Sequence, residues 1–139
     1  MAEHGRSEVL RRAIEALILG DVDALPELFT DDVSGWSPIL LVSSLDELAE
    51  RVADREEALS DATVQVDGLD VFGNKGFAEY RLSAVFSSPL LLDDDTVVEP
   101  NGRQILLGAV TAVDFTGDRI SAFRTYFDDL SLLEQMVVP

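Results

Sequence analysis

The 139-residue sequence has no cysteine, one histidine, one tryptophan and a single lysine, Lys75. Without thiols the fold uses no disulfide and the chain offers no thiol nucleophile. The lone histidine, His4, lies in a stretch read as a flexible tail over residues 1–6, where terminal disorder concentrates, and receives no role. Neither a glycine-rich phosphate loop nor a His-bearing metal motif is present, so no cofactor and no metal are expected. Long hydrophobic runs are also missing. The segments Ile39 to Val42 and Ile105 to Leu107 fall far short of the ~20 residues that a membrane span requires. The N-terminus lacks an apolar run behind a basic segment, so it does not read as a secretory signal, and a cytoplasmic location is the expectation.

Basic residues are scarce as a class. Ten Lys and Arg face 27 Asp and Glu, for a formal net charge of -17. A field of that sign repels phosphate backbones and anionic headgroups, which argues against nucleic-acid and membrane partners. What remains is average: 47% hydrophobic and 27% charged residues, a composition that folds rather than one that stays disordered. The length suits one core, so residues 1–139 are read as a single domain.

The apolar period changes once along the chain. Leu10, Ala13, Ile14, Leu17 and Ile18 follow helical spacing between a Ser7 cap and Gly20. A short helix is expected after Asp21 or Asp23, with Pro26 in its first turn and Leu25, Leu28 and Phe29 facing inward. Val33 to Val42, which includes Pro38, reads as a short or edge strand. Ser44 and Glu47 form a capping box for a third helix running to about Ser60, with Leu45, Leu48, Ala49, Val52 and Leu59 at helical spacing. Beyond this point the period approaches two. Thr63 to Phe72 shifts its apolar parity across Gly68 as a bulge would, and Gly73 to Gly76 reads as a hairpin turn. Strands follow at Phe77 to Ser87, Gln104 to Phe115 and Arg119 to Phe127, the last two joined through Thr116, Gly117 and Asp118. Leu130 to Met136 suggests a terminal helix. Helices first and hairpin-linked strands afterwards predict an α+β fold, an antiparallel sheet with helices on one face.

This order, together with the stretch from Gly117 to Asp128 and the helix after it, resembles SnoaL-like proteins of the nuclear transport factor 2 superfamily along essentially the whole chain. The resemblance implies a curved antiparallel sheet wrapped around the N-terminal helices, a cone-shaped α+β barrel of the cystatin-like roll kind, whose open end holds a small apolar ligand. It also implies a homodimer formed through the outer face of the sheet.

Alternation along the last strand places Arg124, Tyr126 and Asp128 on one face and Phe123, Thr125 and Phe127 on the other. The family places the aspartate ending this strand in the pocket as an acid/base, a position matched by Asp128. Tyr126 would act as an oxyanion donor, and Arg81 as a cation near the carboxylate. Glu79, Arg81 and Ser83 share a face of their strand and would lie across the pocket, with Tyr80 on the opposite side. Trp36 matches positions at the pocket mouth. Each has a plainer reading: Asp128 as the cap of the last helix, Glu79 and Arg81 as an ordinary cross-strand ion pair, Trp36 as core. Ser83 stands where family epoxide hydrolases carry a carboxylate, leaving Glu79 as a substitute. Asp93 to Asp95 read as a solvated charge run rather than a cation site.

Three functions fit these residues. One is a cofactor-free cyclase or isomerase acting on a hydrophobic carbonyl compound; the second is a non-catalytic ligand-binding or dimerisation module; the third is an epoxide hydrolase with an altered site.

Overall fold

A computed structural model describes residues 2–91 and 96–137. Helix α1 spans Ala2–Leu19 and ends at Gly20, whose φ of 81° is the left-handed conformation that glycine adopts without penalty. The helix starts before the expected Ser7 cap. Within its first turns the Arg6 guanidinium donates to the backbone oxygens of Gly73 and Gly117, tying α1 to two hairpin turns. A 3-10 turn, Val22–Ala24, leads into the one-turn helix α2, Leu25–Leu28, with Pro26 in its first turn. Neither Asp21 nor Asp23 supplies the expected cap: Asp21 makes no capping hydrogen bond and Asp23 lies inside the 3-10 turn. Leu25, Leu28 and Phe29 are buried as anticipated.

Helix α3, Leu45–Ala58, is capped by Ser44, whose Oγ accepts from the Glu47 N–H at 3.1 Å. The returning Glu47 carboxylate accepts from the N–H and hydroxyl of Ser43, one residue earlier than a standard box. These bonds hold the Glu47 carboxyl below the usual range.

The strands are β1 Phe29–Ser37, β2 Leu40–Val42, β3 Leu59–Phe72, β4 Lys75–Phe86, β5 Leu90–Leu91, β6 Val97–Val98, β7 Gln104–Thr116 and β8 Arg119–Phe127; α4, Asp129–Val137, closes the chain. Six of them form a curved, unclosed sheet in the order β2-β1-β8-β7-β4-β3, while β5 and β6 make a separate two-stranded hairpin. The expected bulge falls where the parity shift placed it, between Val66 and Gly68. One pairing departs from the antiparallel expectation. β1 runs parallel to β8, with Gly35 beside Phe123 and Trp36 beside Arg124. Nor is the Val33 to Val42 segment one strand, because Pro38 sits in the turn of a β1–β2 hairpin where its missing N–H breaks no ladder.

Gly35 shows why the parallel pairing needs this sequence. A Cβ there would overlap the Phe123 ring, which lies over the glycine and meets Phe29 edge-on at 5.8 Å. One core joins α1, α2 and α3 to the concave face of the sheet through Leu10, Ile14, Leu28, Leu48, Val52 and Phe123. A second cluster, Ala58, Phe86, Leu90, Ile105, Leu132 and Met136, fills the end beneath α4.

Candidate functional site

The concave face of the sheet is built from alternate residues. Tyr80, Leu82 and Ala84 of β4, Ile105, Leu107 and Ala109 of β7, and Phe123, Thr125 and Phe127 of β8 line a cavity of about 90 Å³. Leu48, Val52 and Arg55 of α3 border it from the helical side, and Leu132 and Met136 of α4 from the end. Its polar contributors are Ser37, Arg55, Tyr80 and Thr125; no Asp, Glu or His is among the lining residues.

The hydroxyls on this wall are already joined to one another. Tyr80 Oη and Thr111 Oγ1 share a hydrogen bond of 2.8 Å, and Thr111 Oγ1 is also 2.8 Å from Thr125 Oγ1, so a buried chain of three hydroxyls crosses β4, β7 and β8. Burial pushes the Tyr80 phenol above its ordinary value, which keeps it a protonated donor at neutral pH. Ser37 Oγ accepts from the Ile39 N–H in the β1–β2 turn.

Arg55 differs from the other polar lining groups. Among the described residues no carboxylate lies within ion-pairing distance of it, and the groups that act on its charge are the Tyr80 phenol and another cation, Arg51, one helical turn earlier. Desolvation lowers its pKa, but a guanidinium, the strongest base among the side chains, remains charged at neutral pH. Together with Leu17, Ile18, Leu59 and Ala62 it also borders a second recess of about 320 Å³, between the end of α1 and the start of β3. The cation therefore stands between the interior and the surface.

The residues expected at the pocket occupy the other side of the same strands. Glu79 and Arg81 are exposed, Arg124 is partly buried, and Arg81 makes a two-pronged ion pair with Asp67 of β3 at 2.9 and 3.0 Å rather than with Glu79. That pair lowers the Asp67 carboxyl and raises the Arg81 guanidinium. Ser83 bonds Thr63 across the strands at 2.7 Å. Arg124 pairs with Asp114, which Lys75 also contacts at 2.6 Å, and these cations hold the Asp114 carboxyl low. Trp36 and Tyr126 meet on the outer face with ring centroids 5.3 Å apart, their planes tilted by 54°, and exposures of 41% and 51%. Asp128 is exposed and caps α4, its Oδ1 accepting from the Ser131 N–H at 3.0 Å.

The expected alternation is therefore present, but the assignment of faces is corrected. The apolar set, Phe123, Thr125 and Phe127, faces the cavity, because the helices bury the hydrophobic side of the sheet and leave the charged side to water. Tyr80, expected on the face opposite Arg81, is there, and that face is the inner one. Arg55 escaped notice although it carried a signal. Leu48, Val52 and Arg55 continue one helical stripe of α3, which ends at Ala58 before Leu59 enters β3, so an arginine occupies an apolar position. Asp93 to Asp95 and the His4 side chain lie outside the described residues. Among the described residues no group of three or more His, Cys, Asp or Glu could hold a metal ion, and no helix is long and apolar enough to cross a membrane.

The model of the SnoaL-like domain matches residues 10–123, most of the chain and all of its strands up to the middle of β8. The chain belongs to the SnoaL-like family. Among solved structures, this SnoaL-like domain superimposes on a candidate SnoaL-like polyketide cyclase from Jannaschia sp. CCS1 with a TM-score of 0.86 at 19% identity, covering 99% of this chain and 95% of that one. TsrD from Streptomyces laurentii gives 0.83 at 16%, over 99% and 98%. An LEH-like epoxide hydrolase of M. tuberculosis gives 0.74 at 12%, over 97% and 91%. At these identities the likeness establishes the fold and leaves the chemistry to the site. Comparison with curated protein sequences finds no match.

Proposed function

We propose that this SnoaL-like domain is a small-molecule-binding protein that takes an apolar ligand into the concave side of its sheet. The observation that supports this reading is the lined cavity itself, apolar on nearly all sides and bordered by a few convergent polar groups. Binding is favoured over acid/base catalysis because a cyclase or isomerase needs a proton carrier at the reacting carbon, and no carboxylate or imidazole lines the cavity. Asp128, Arg81 and Tyr126 would have to act from the opposite face, where Asp128 and Arg81 already serve as cap and ion-pair partner. The epoxide-hydrolase reading needs Glu79 next to Arg81 in the cavity and meets the same geometry.

The test is nuclear magnetic resonance of the labelled protein with neutral apolar probes, such as a series of primary alcohols. Saturable shifts at Leu82, Ala109 and Thr125, lost in an Ala109→Phe variant that blocks the space, are expected. Shifts confined to Trp36 and Tyr126 would place binding on the outer face and end the reading. Trp36 fluorescence is a poor reporter of this cavity because the indole is outside it.

A homodimer is the second part of the proposal. Leu41, Trp36, Tyr126, Val110 and Leu106 are exposed on β2, β1, β8 and β7, an apolar set that association would remove from water. Sedimentation of Trp36→Ala/Tyr126→Ala as a lighter species than the wild type is expected. A wild type that sediments as a monomer at micromolar concentration would remove the dimer and leave the cavity untouched.

A further inference from the structure

We infer that the ligand is an amphipathic acid, an apolar body ending in a single carboxylate that the Arg55 guanidinium receives at the α3 wall of the cavity. The inference rests on the binding reading above and goes further by naming the ligand's charged group. Of ten basic residues against 27 acidic ones, Arg55 alone lines the cavity. Elsewhere in the protein several cations have carboxylates to hand: Arg12 with Glu27, Lys75 and Arg124 with Asp114, Arg81 with Asp67. In so acidic a chain, a partly buried arginine with no carboxylate within ion-pairing distance among the described residues is a position where an apolar side chain would cover the cavity without partly dehydrating a charge. Leu and Val occupy the preceding positions of the same stripe, at Leu48 and Val52.

The chemistry of the side chain selects the guest. A guanidinium presents a planar fork that matches a carboxylate with two parallel N–H donors, and it remains charged when partly desolvated. Inside, Tyr80, Thr111 and Thr125 are joined by two hydrogen bonds and bring no negative charge to compete for the guanidinium, and the second cation, Arg51, adds positive field of the same sign. On the surface side, Glu56 and Asp61 border the recess without pairing to Arg55, so the acidic exterior discourages free inorganic anions, while an acid with an apolar tail gains from burying that tail.

The experiment compares linear carboxylates from hexanoate to dodecanoate with the alcohols of equal length, by calorimetry on the full chain and on Arg55→Met and Arg55→Lys. The expected result is that the best acid binds about tenfold to a hundredfold more tightly than its alcohol, the range set by a charge-assisted hydrogen bond. Arg55→Met should erase that preference while still binding the alcohol, and Arg55→Lys should keep part of it. The Arg55 Nε–H resonance should move with the acid and stay put with the alcohol. Equal binding of acid and alcohol, unchanged in Arg55→Met, would overturn the inference and leave the apolar cavity as proposed. Failure of every acid and alcohol to bind would sink both. A readout without ligand completes the test: empty Arg55→Met should melt at or above the wild-type temperature. A melting temperature several degrees lower, or failure of that variant to fold, would make Arg55 a structural residue and overturn the assignment.

Discussion

The two faces of strands β4, β7 and β8 share backbone, register and strand length, yet they solve opposite problems. On the outer face the charges of Arg81, Asp67, Arg124, Asp114 and Lys75 are paired with one another, so every cation named there has a carboxylate to hand. The inner face carries Tyr80, Leu82, Ala109, Phe123 and Thr125, its hydroxyls joined in a chain and its border holding one cation, Arg55, that no carboxylate among the described residues pairs with. Polar residues are more numerous outside, whereas the cation at the inner border, Arg55, has no carboxylate within ion-pairing distance among the described residues. A site is better located by what lacks a partner than by where polar residues gather.

The sharpest way to break this comparison is to exchange a ring on each face of β8. Phe123→Ala removes a ring that is 3% exposed and packs on Phe29 and Gly35, and should cost about 3–5 kcal/mol. Tyr126→Ala loses only the exposed contact with Trp36, about 0.5–1.5 kcal/mol. Denaturant titration of the two variants reads the difference; equal losses would mean the faces are not distinct in energy. Next in size is Gly35→Ala, whose Cβ overlaps the Phe123 ring and should cost about 1–3 kcal/mol. Combining it with Phe123→Leu should recover part of that loss, and strict additivity would show that the two residues do not interact.

These packing relations also mark how far the amino-acid order alone could be read. The Ser44 cap, the Gly68 bulge, the hairpins and the strand alternation are local, governed by residues a few positions apart, and each was visible. The parallel union of β1 with β8 was not, since Asp31, Asp32 and Gly35 give β1 little strand character of its own and the pairing is decided by a ring on a distant strand. The face of the pocket is not legible in the polar stripe, because charged residues gather where water is and not where a cavity lies. Arg55 is hard to read because a charged residue in an apolar helical stripe looks like a break in the stripe rather than part of it.

Smaller effects sharpen the outer half of the comparison. Asp128→Ala should cost about 1 kcal/mol through loss of the α4 cap, and Asp128→Asn only a few tenths, because asparagine caps nearly as well. A ligand affinity that falls with Asp128→Asn while thermal stability holds would return that residue to the site. Least in size is the acid response. The carboxyls of Asp67 and Asp114 are lowered by their cations, so their contribution is complete above the unfolded value of 3.8 and is lost as pH falls below it. A double Asp67→Asn/Asp114→Asn variant should therefore show a shallower loss of stability on acidification than the wild type. An identical slope would mean that these outer pairs do not stabilise the fold.

The parallel seam has a consequence for how the molecule comes into being. β1 is made well before β8, so Phe29 waits for Ile120, and Gly35 for Phe123, while the strands between them are synthesised. Until β8 arrives, the hairpin of β1 and β2 has no sheet to join, and β7 offers an open edge of unpaired amides and carbonyls. Loop closure over so long a stretch is slow, and the half-made sheet is the state most open to aggregation. The sheet is thus committed to folding as a whole, with β8 acting as the keystone between two halves that share no other ladder among the described residues.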